Sequence, residues 1–116
     1  MTHPVSLIWW KTTSEKAKGL QEMEPIPERT LFIFTDIRPG TLFHSRNVRE
    51  TFDIAFVSKL GRVLSLETVF PEEGTSTAPD RTAYAIEAKA GEMESMNITS
   101  GKTLNMKTFA PFEHTL

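Results

Sequence analysis

The chain has 116 residues, 39% of them hydrophobic and 24% charged, with a formal net charge of -2 and no cysteine. That length suits one domain with a modest core, and the composition is that of a folded domain, not a disordered chain. The missing thiols exclude disulfides, thiolate zinc sites, iron–sulfur clusters and a cysteine nucleophile, and without a basic stripe nucleic acid is not an expected partner.

Met1-Thr2-His3-Pro4 opens no basic-then-apolar leader, and no apolar run is long enough to cross a bilayer. The expectation is a soluble, cytoplasmic domain without membrane contact, unless an export signal has been removed. Val5-Ser6-Leu7-Ile8-Trp9-Trp10 reads as an opening strand. Its adjacent indoles point to opposite faces, one toward the core and the other toward a groove or the surface. There a Trp suits a sugar ring or a protein partner, and Trp10 enters the candidate binding set.

Thr12-Thr13-Ser14-Glu15 is a capping box with Thr12 as N-cap. It opens a short helix over 13–20 that Gly19 is placed to end. Pro25 and Pro27 force an extended, irregular passage. Leu31-Phe32-Ile33-Phe34 is a compact apolar strand, followed by a turn at Pro39-Gly40. A polar loop bearing Arg46, Asn47, Arg49 and Glu50 then leads into Phe52-Asp53-Ile54-Ala55-Phe56-Val57. In that strand Phe52, Ile54 and Phe56 share one face, and Asp53, Ala55 and Val57 the other.

Ser58–Gly61 makes a hairpin connection to a returning strand over 63–69. Pro71 to Asp80 is a polar loop, and 83–88 is a further alternating strand. A brief helical segment at 92–96 follows, and Ser100-Gly101 turns into a last strand near Thr103–Lys107. This pattern predicts at least six strands and a mainly β fold. The expected form is a small antiparallel β-sandwich or partly closed, jelly-roll-like barrel with one short N-terminal helix. A βαβ series is not expected. The whole of 1–116 reads as a single domain.

Asp53 is a lone carboxylate between apolar neighbours, so it needs a partner or a polar site. One reading has Asp53 accepting backbone N–H groups of the 46–50 loop and holding its shape. The other makes Arg46, Asn47 and Asp53 a polar cluster at a cleft. Arg46 then meets an anionic group, Asn47 hydrogen-bonds both ways, and Asp53 acts as acceptor or base.

His3, His44 and His114 lie at no spacing that suits a metal, so neither a metal nor a cofactor is expected. His44 could pair with Asp53 as a general base, or pack as a half-buried ring. Ser45 beside it forms no nucleophile elbow, and no glycine-rich phosphate loop is present. Glu72-Glu73 reads as a solvated loop tip, and Asn97-Ile98-Thr99 as a chance glycosylation pattern.

The ordered segments Ala17-Lys18-Gly19-Leu20, Leu31-Phe32-Ile33-Phe34, Asn47 with Phe52-Asp53-Ile54, Gly61-Arg62-Val63, Pro71 and Ile86-Glu87-Ala88-Lys89-Ala90-Gly91, with Ile98 and Gly101 after them, carry a resemblance. Over about residues 5–106 the chain resembles the uncharacterised family called domain of unknown function 192, with 107–116 as a tail. The resemblance implies a small, jelly-roll-like β-sandwich with no assigned reaction. The chain departs from the family at Gln21, at His44-Ser45-Arg46, at Val48, Thr51 and Lys102. The polar centre Arg46, Asn47 and Asp53 is kept while the walls around it change.

The leading expectation is a non-catalytic β domain that binds a small polar ligand or a protein partner through His44, Arg46, Asn47, Asp53 and Trp10. A small enzyme using Asp53 with His44 or Arg46 on a polar or sugar-like substrate is the first alternative. An inhibitor-like protein acting on a macromolecule is the second.

Overall fold

The computed structural model describes residues 5–106. Seven strands and two short helices form among them. In chain order they are β1 (Ser6–Trp10), α1 (Thr13–Lys18), β2 (Thr30–Phe34), β3 (Leu42–His44) and β4 (Phe52–Ser58). Then follow β5 (Val63–Val69), β6 (Thr75–Thr77), β7 (Thr82–Lys89) and α2 (Glu92–Ser95). Five strands make one sheet in the order β1-β2-β7-β4-β5, and β3 pairs with β6 in a separate two-stranded sheet. Neither sheet closes on itself, so the fold is sandwich-like and not a barrel.

The strand pairs are antiparallel apart from β1 and β2, which run parallel with Ser6 opposite Thr30 and Trp10 opposite Phe34. A parallel return needs a crossover of about a dozen residues or more. Here α1 and the proline-bearing passage supply it. One βαβ unit therefore opens a fold that was expected to be antiparallel throughout. The capping box forms as read: Thr12 Oγ1 accepts the Glu15 N–H at 3.1 Å, and Glu15 Oε1 accepts the Thr12 N–H at 3.0 Å. Gly19 closes the helix at φ 48°.

The five-stranded sheet divides the core into two layers. On one face Phe32, Phe34, Phe52, Ile54 and Phe56 pack with Leu20, which follows α1, with Phe43 of β3, and with Val48 and Ala78. On the other, Leu31, Ile33, Ala55, Val57 and Ile86 pack with Met93 of α2 and with Ile98. Both faces being covered explains why β2 is buried at all five positions and reads as an unbroken apolar run. The alternation expected for β4 holds, with Phe52, Ile54 and Phe56 in one layer and Ala55 and Val57 in the other.

Three local expectations change. Thr75–Thr77 forms a strand inside the segment that reads as a loop, and Leu42–His44 forms one where the sequence pattern assigns no element, each only three residues long. The anticipated final strand reduces, among the described residues, to a single bridge between Arg62 and Thr103. The rest of that segment, together with His3, His114 and the 107–116 tail, lies outside the described residues.

Candidate functional site

A cleft of about 460 Å³ opens between α1, the segment that follows β2, and β3. Ala17 and Leu20 line it from the helix side, Phe34 from β2, Phe43 and His44 from β3, and Phe52 from β4. Aromatic contacts stiffen this wall. Phe43 meets Phe34 edge-on with ring centroids 5.4 Å apart, and meets Phe56 at 5.6 Å. Such T-shaped pairs are favoured by the ring quadrupoles.

Glu87 also lines the cleft. It stands on the central strand β7, directly between Phe32 of β2 and Ile54 of β4. Its side chain shares the aromatic face, is 4% exposed, and meets no hydrogen-bond donor or cation among the described residues. Loss of water alone pushes its carboxyl up to about 8. At neutral pH the group is therefore mostly a neutral acid, able to donate one hydrogen bond and accept others. The rim above carries Lys16, Lys18 and Arg38 against the single carboxylate Asp36, with His44 beside them.

Asp53 lies on the other side of the sheet. Its Oδ1 accepts the Thr68 hydroxyl at 2.7 Å and its Oδ2 accepts the Gly91 N–H at 2.8 Å. It joins β5 to the start of α2, and not the 46–50 loop that the latch reading had it hold. Period-two alternation is the reason: Phe52 and Ile54 face the cleft layer, so the residue between them cannot.

Asn47 holds its own loop. It sits at φ 63°, its side-chain amide donates to Gln21 Oε1 at 3.2 Å, and its carbonyl accepts the Glu22 N–H at 2.8 Å. An Asn tolerates that left-handed conformation better than most residues. Arg46 is exposed, and its backbone N–H donates to His44 Nδ1 at 3.2 Å. The candidate set is thus split by the sheet: His44 lines the cleft, Asn47 and Arg46 shape the loop at its side, and Asp53 faces away.

Trp10 stacks on Phe32 at 4.8 Å and meets Phe34 edge-on at 5.0 Å, so it serves the core beneath the cleft. Trp9 borders a separate groove with Tyr84, and its buried indole N–H has no acceptor among the described residues. Ser45, fully buried, ties the 44–50 loop to the next one: its Oγ accepts the Gly74 N–H at 2.7 Å, and its own N–H donates to Gly74 O at 2.9 Å.

Glu87 is the cleft residue that the sequence-based set omits. The signal was present, because the argument applied to Asp53 holds equally for a carboxylate between Ile86 and Ala88. What the alternation could not say is which of the two acids meets a cavity and which meets donors.

These features define a small β-sandwich-like domain with a cleft on one side of its main sheet. A family model, DUF192 ("Uncharacterized ACR"), matches residues 1–106, and the chain belongs to that family. Among solved structures, a protein of unknown function from Novosphingobium aromaticivorans is 26% identical with a TM-score of 0.73, covering 84% of this chain and 71% of that one. A putative transcription regulator from Sinorhizobium meliloti is 20% identical with a TM-score of 0.77, covering 90% and 84%. The second likeness is one of fold alone. No curated protein matches the chain.

Proposed function

We propose that the protein is a non-catalytic binding domain that takes a small polar ligand with an apolar part into the cleft between α1 and β3. Glu87 is the observation that carries this reading. A buried carboxyl with no partner costs free energy, and a ligand that met it inside an otherwise apolar cleft would offset that cost. Largely apolar walls with a few convergent polar groups are the usual make-up of a small-molecule site.

The side of the sheet that Asp53 occupies supports the non-catalytic reading. Its oxygens are engaged by Thr68 and Gly91, on the face opposite to His44. General acid–base work by one residue pair contributes only about 10²–10⁴-fold, against about 10⁶-fold or more for enzymes. A protein partner covering the cleft is the second reading, favoured by Leu42, which stands on the rim and is 59% exposed.

A fragment screen read by methyl resonances tests the proposal. Binders are expected to shift Leu20 and Val48 together and to lose affinity in a cleft-filling Val48→Trp variant. Binders that shift only residues remote from the cleft, or turnover of an ester, glycoside or phosphoester by the purified protein, would count against it.

A further inference from the structure

The cleft has a chemical polarity that narrows its ligand. Its floor holds one carboxyl, on β7, flanked by Phe32 and Ile54, which bring no charge to it. The other titratable and charged groups stand around the opening. They are Lys16 and Lys18 from α1, Asp36 and Arg38 from the segment after β2, and His44 from β3. Lys16 Nζ already donates to the Thr35 carbonyl at 3.0 Å.

We infer that the cleft selects a small, flat, neutral molecule bearing a carbonyl-type acceptor, which takes a hydrogen bond from the protonated Glu87 carboxyl while its apolar body lies among Phe34, Phe43 and Phe52. The inference rests on the binding reading above and adds the ligand's chemical class. Three observations support it. Among the described residues no group competes for the carboxyl, so its hydrogen is available to a ligand. The rim carries three basic side chains against one acidic one, which repels a cation on its way in. Desolvation keeps the acid neutral up to about pH 8, so a donor is what the floor presents at physiological pH.

An organic cation is the competing class, because aromatic rings beside a carboxylate attract ammonium and amidinium groups. The two classes differ in the sign of their pH dependence. A ligand that needs the carboxyl proton weakens as Glu87 ionises, whereas a cation that needs the carboxylate tightens. Binding only to the protonated form, with ionisation at about 8, makes affinity fall about thirtyfold from about pH 7 to about pH 9.5.

Benzamide, its isosteric cation benzamidinium, and toluene are suitable probes. Each is titrated into the full chain at both pH values while the Leu20 and Val48 methyl resonances are followed. Benzamide is expected to bind best at the lower pH and to weaken about thirtyfold at the higher. In Glu87→Gln, checked as folded by the same spectra, binding of benzamide is expected to persist without that pH dependence. Benzamidinium tightening as pH rises, or toluene binding as tightly as benzamide at both values, would overturn the acceptor inference while leaving the cleft as a binding site. Failure of all three probes to shift the cleft methyls at either pH would overturn both.

Discussion

The Asp53 carboxylate accepts the Gly91 backbone N–H at 2.8 Å, joining β4 to the residue that opens α2, 38 positions further along the chain. Thr68 takes the other oxygen from β5. One side chain, 6% exposed, thereby pins three elements on the face of the sheet away from the cleft. Asp53→Ala removes the acceptor shared by the Gly91 N–H and the Thr68 hydroxyl in two part-buried hydrogen bonds, an expected loss of about 1–3 kcal/mol. Denaturant unfolding measures the loss, and faster hydrogen exchange at Gly91 locates it. Unchanged stability together with lost ligand binding would return Asp53 to the site.

Glu87 makes stability depend on pH in a direction opposite to that of a salt-bridged acid. Its folded-state value, about 8, lies above the ordinary 4.5, so the folded protein holds the proton more firmly than the unfolded chain does. Between those two values the folded state carries more protons, and stability falls as pH rises through that window. The contribution is complete below the lower value and gone above the upper one. At about 1.4 kcal/mol per unit, the fall is on the order of a few kcal/mol. Glu87→Gln is expected to flatten this slope in urea melts run across the window. A parent slope no steeper than the variant's would refute the burial argument.

Ser45 couples the two loops at the side of the cleft through both its hydroxyl and its N–H, each paired with Gly74. Ser45→Ala keeps the backbone bond and removes the acceptor for the Gly74 N–H. The expected cost is about 1–2 kcal/mol, with increased exchange at the Gly74 amide. An exchange rate at Gly74 equal to the parent's would mean that the hydroxyl contributes nothing there.

Gly61 and Gly101 both sit at positive φ, 95° and 90°, but in different surroundings. A Cβ on Gly61 would collide with the Leu104 carbonyl, part of the segment whose N–H bonds Gly61 O at 2.7 Å, whereas a Cβ on Gly101 meets nothing within 4 Å. Gly101→Ala is expected to cost about 1 kcal/mol from backbone strain alone. Gly61→Ala should cost at least about 2 kcal/mol more, because the collision involves backbone that cannot rotate away. Thermal melts of the two variants compare the terms directly, and equal shifts would disprove the close packing of the 98–106 segment on the β4–β5 turn.

Local chemistry is legible in the sequence alone. The Thr12–Glu15 capping box, the alternation of Phe52, Ile54 and Phe56, and the turn at Ser58–Gly61 all depend on residues close in sequence, and each forms as its pattern implies. The mainly β class follows from the same periodicities. The three-residue strands β3 and β6 escaped because alternation needs more positions than they contain, and what makes them strands is their pairing with each other.

The parallel placement of β1 beside β2 and the role of each buried acid lay beyond that reach. Asp53 and Glu87 look alike in sequence, each a carboxylate in an apolar strand. Tertiary packing sets donors from β5 and the α2 entrance against one, and a cleft walled by α1 and β3 against the other. Side-chain alternation is inherited from the strand backbone, so a sequence reveals which residues share a face. What covers that face comes from segments distant along the chain, and the energy of a buried charge depends on that cover.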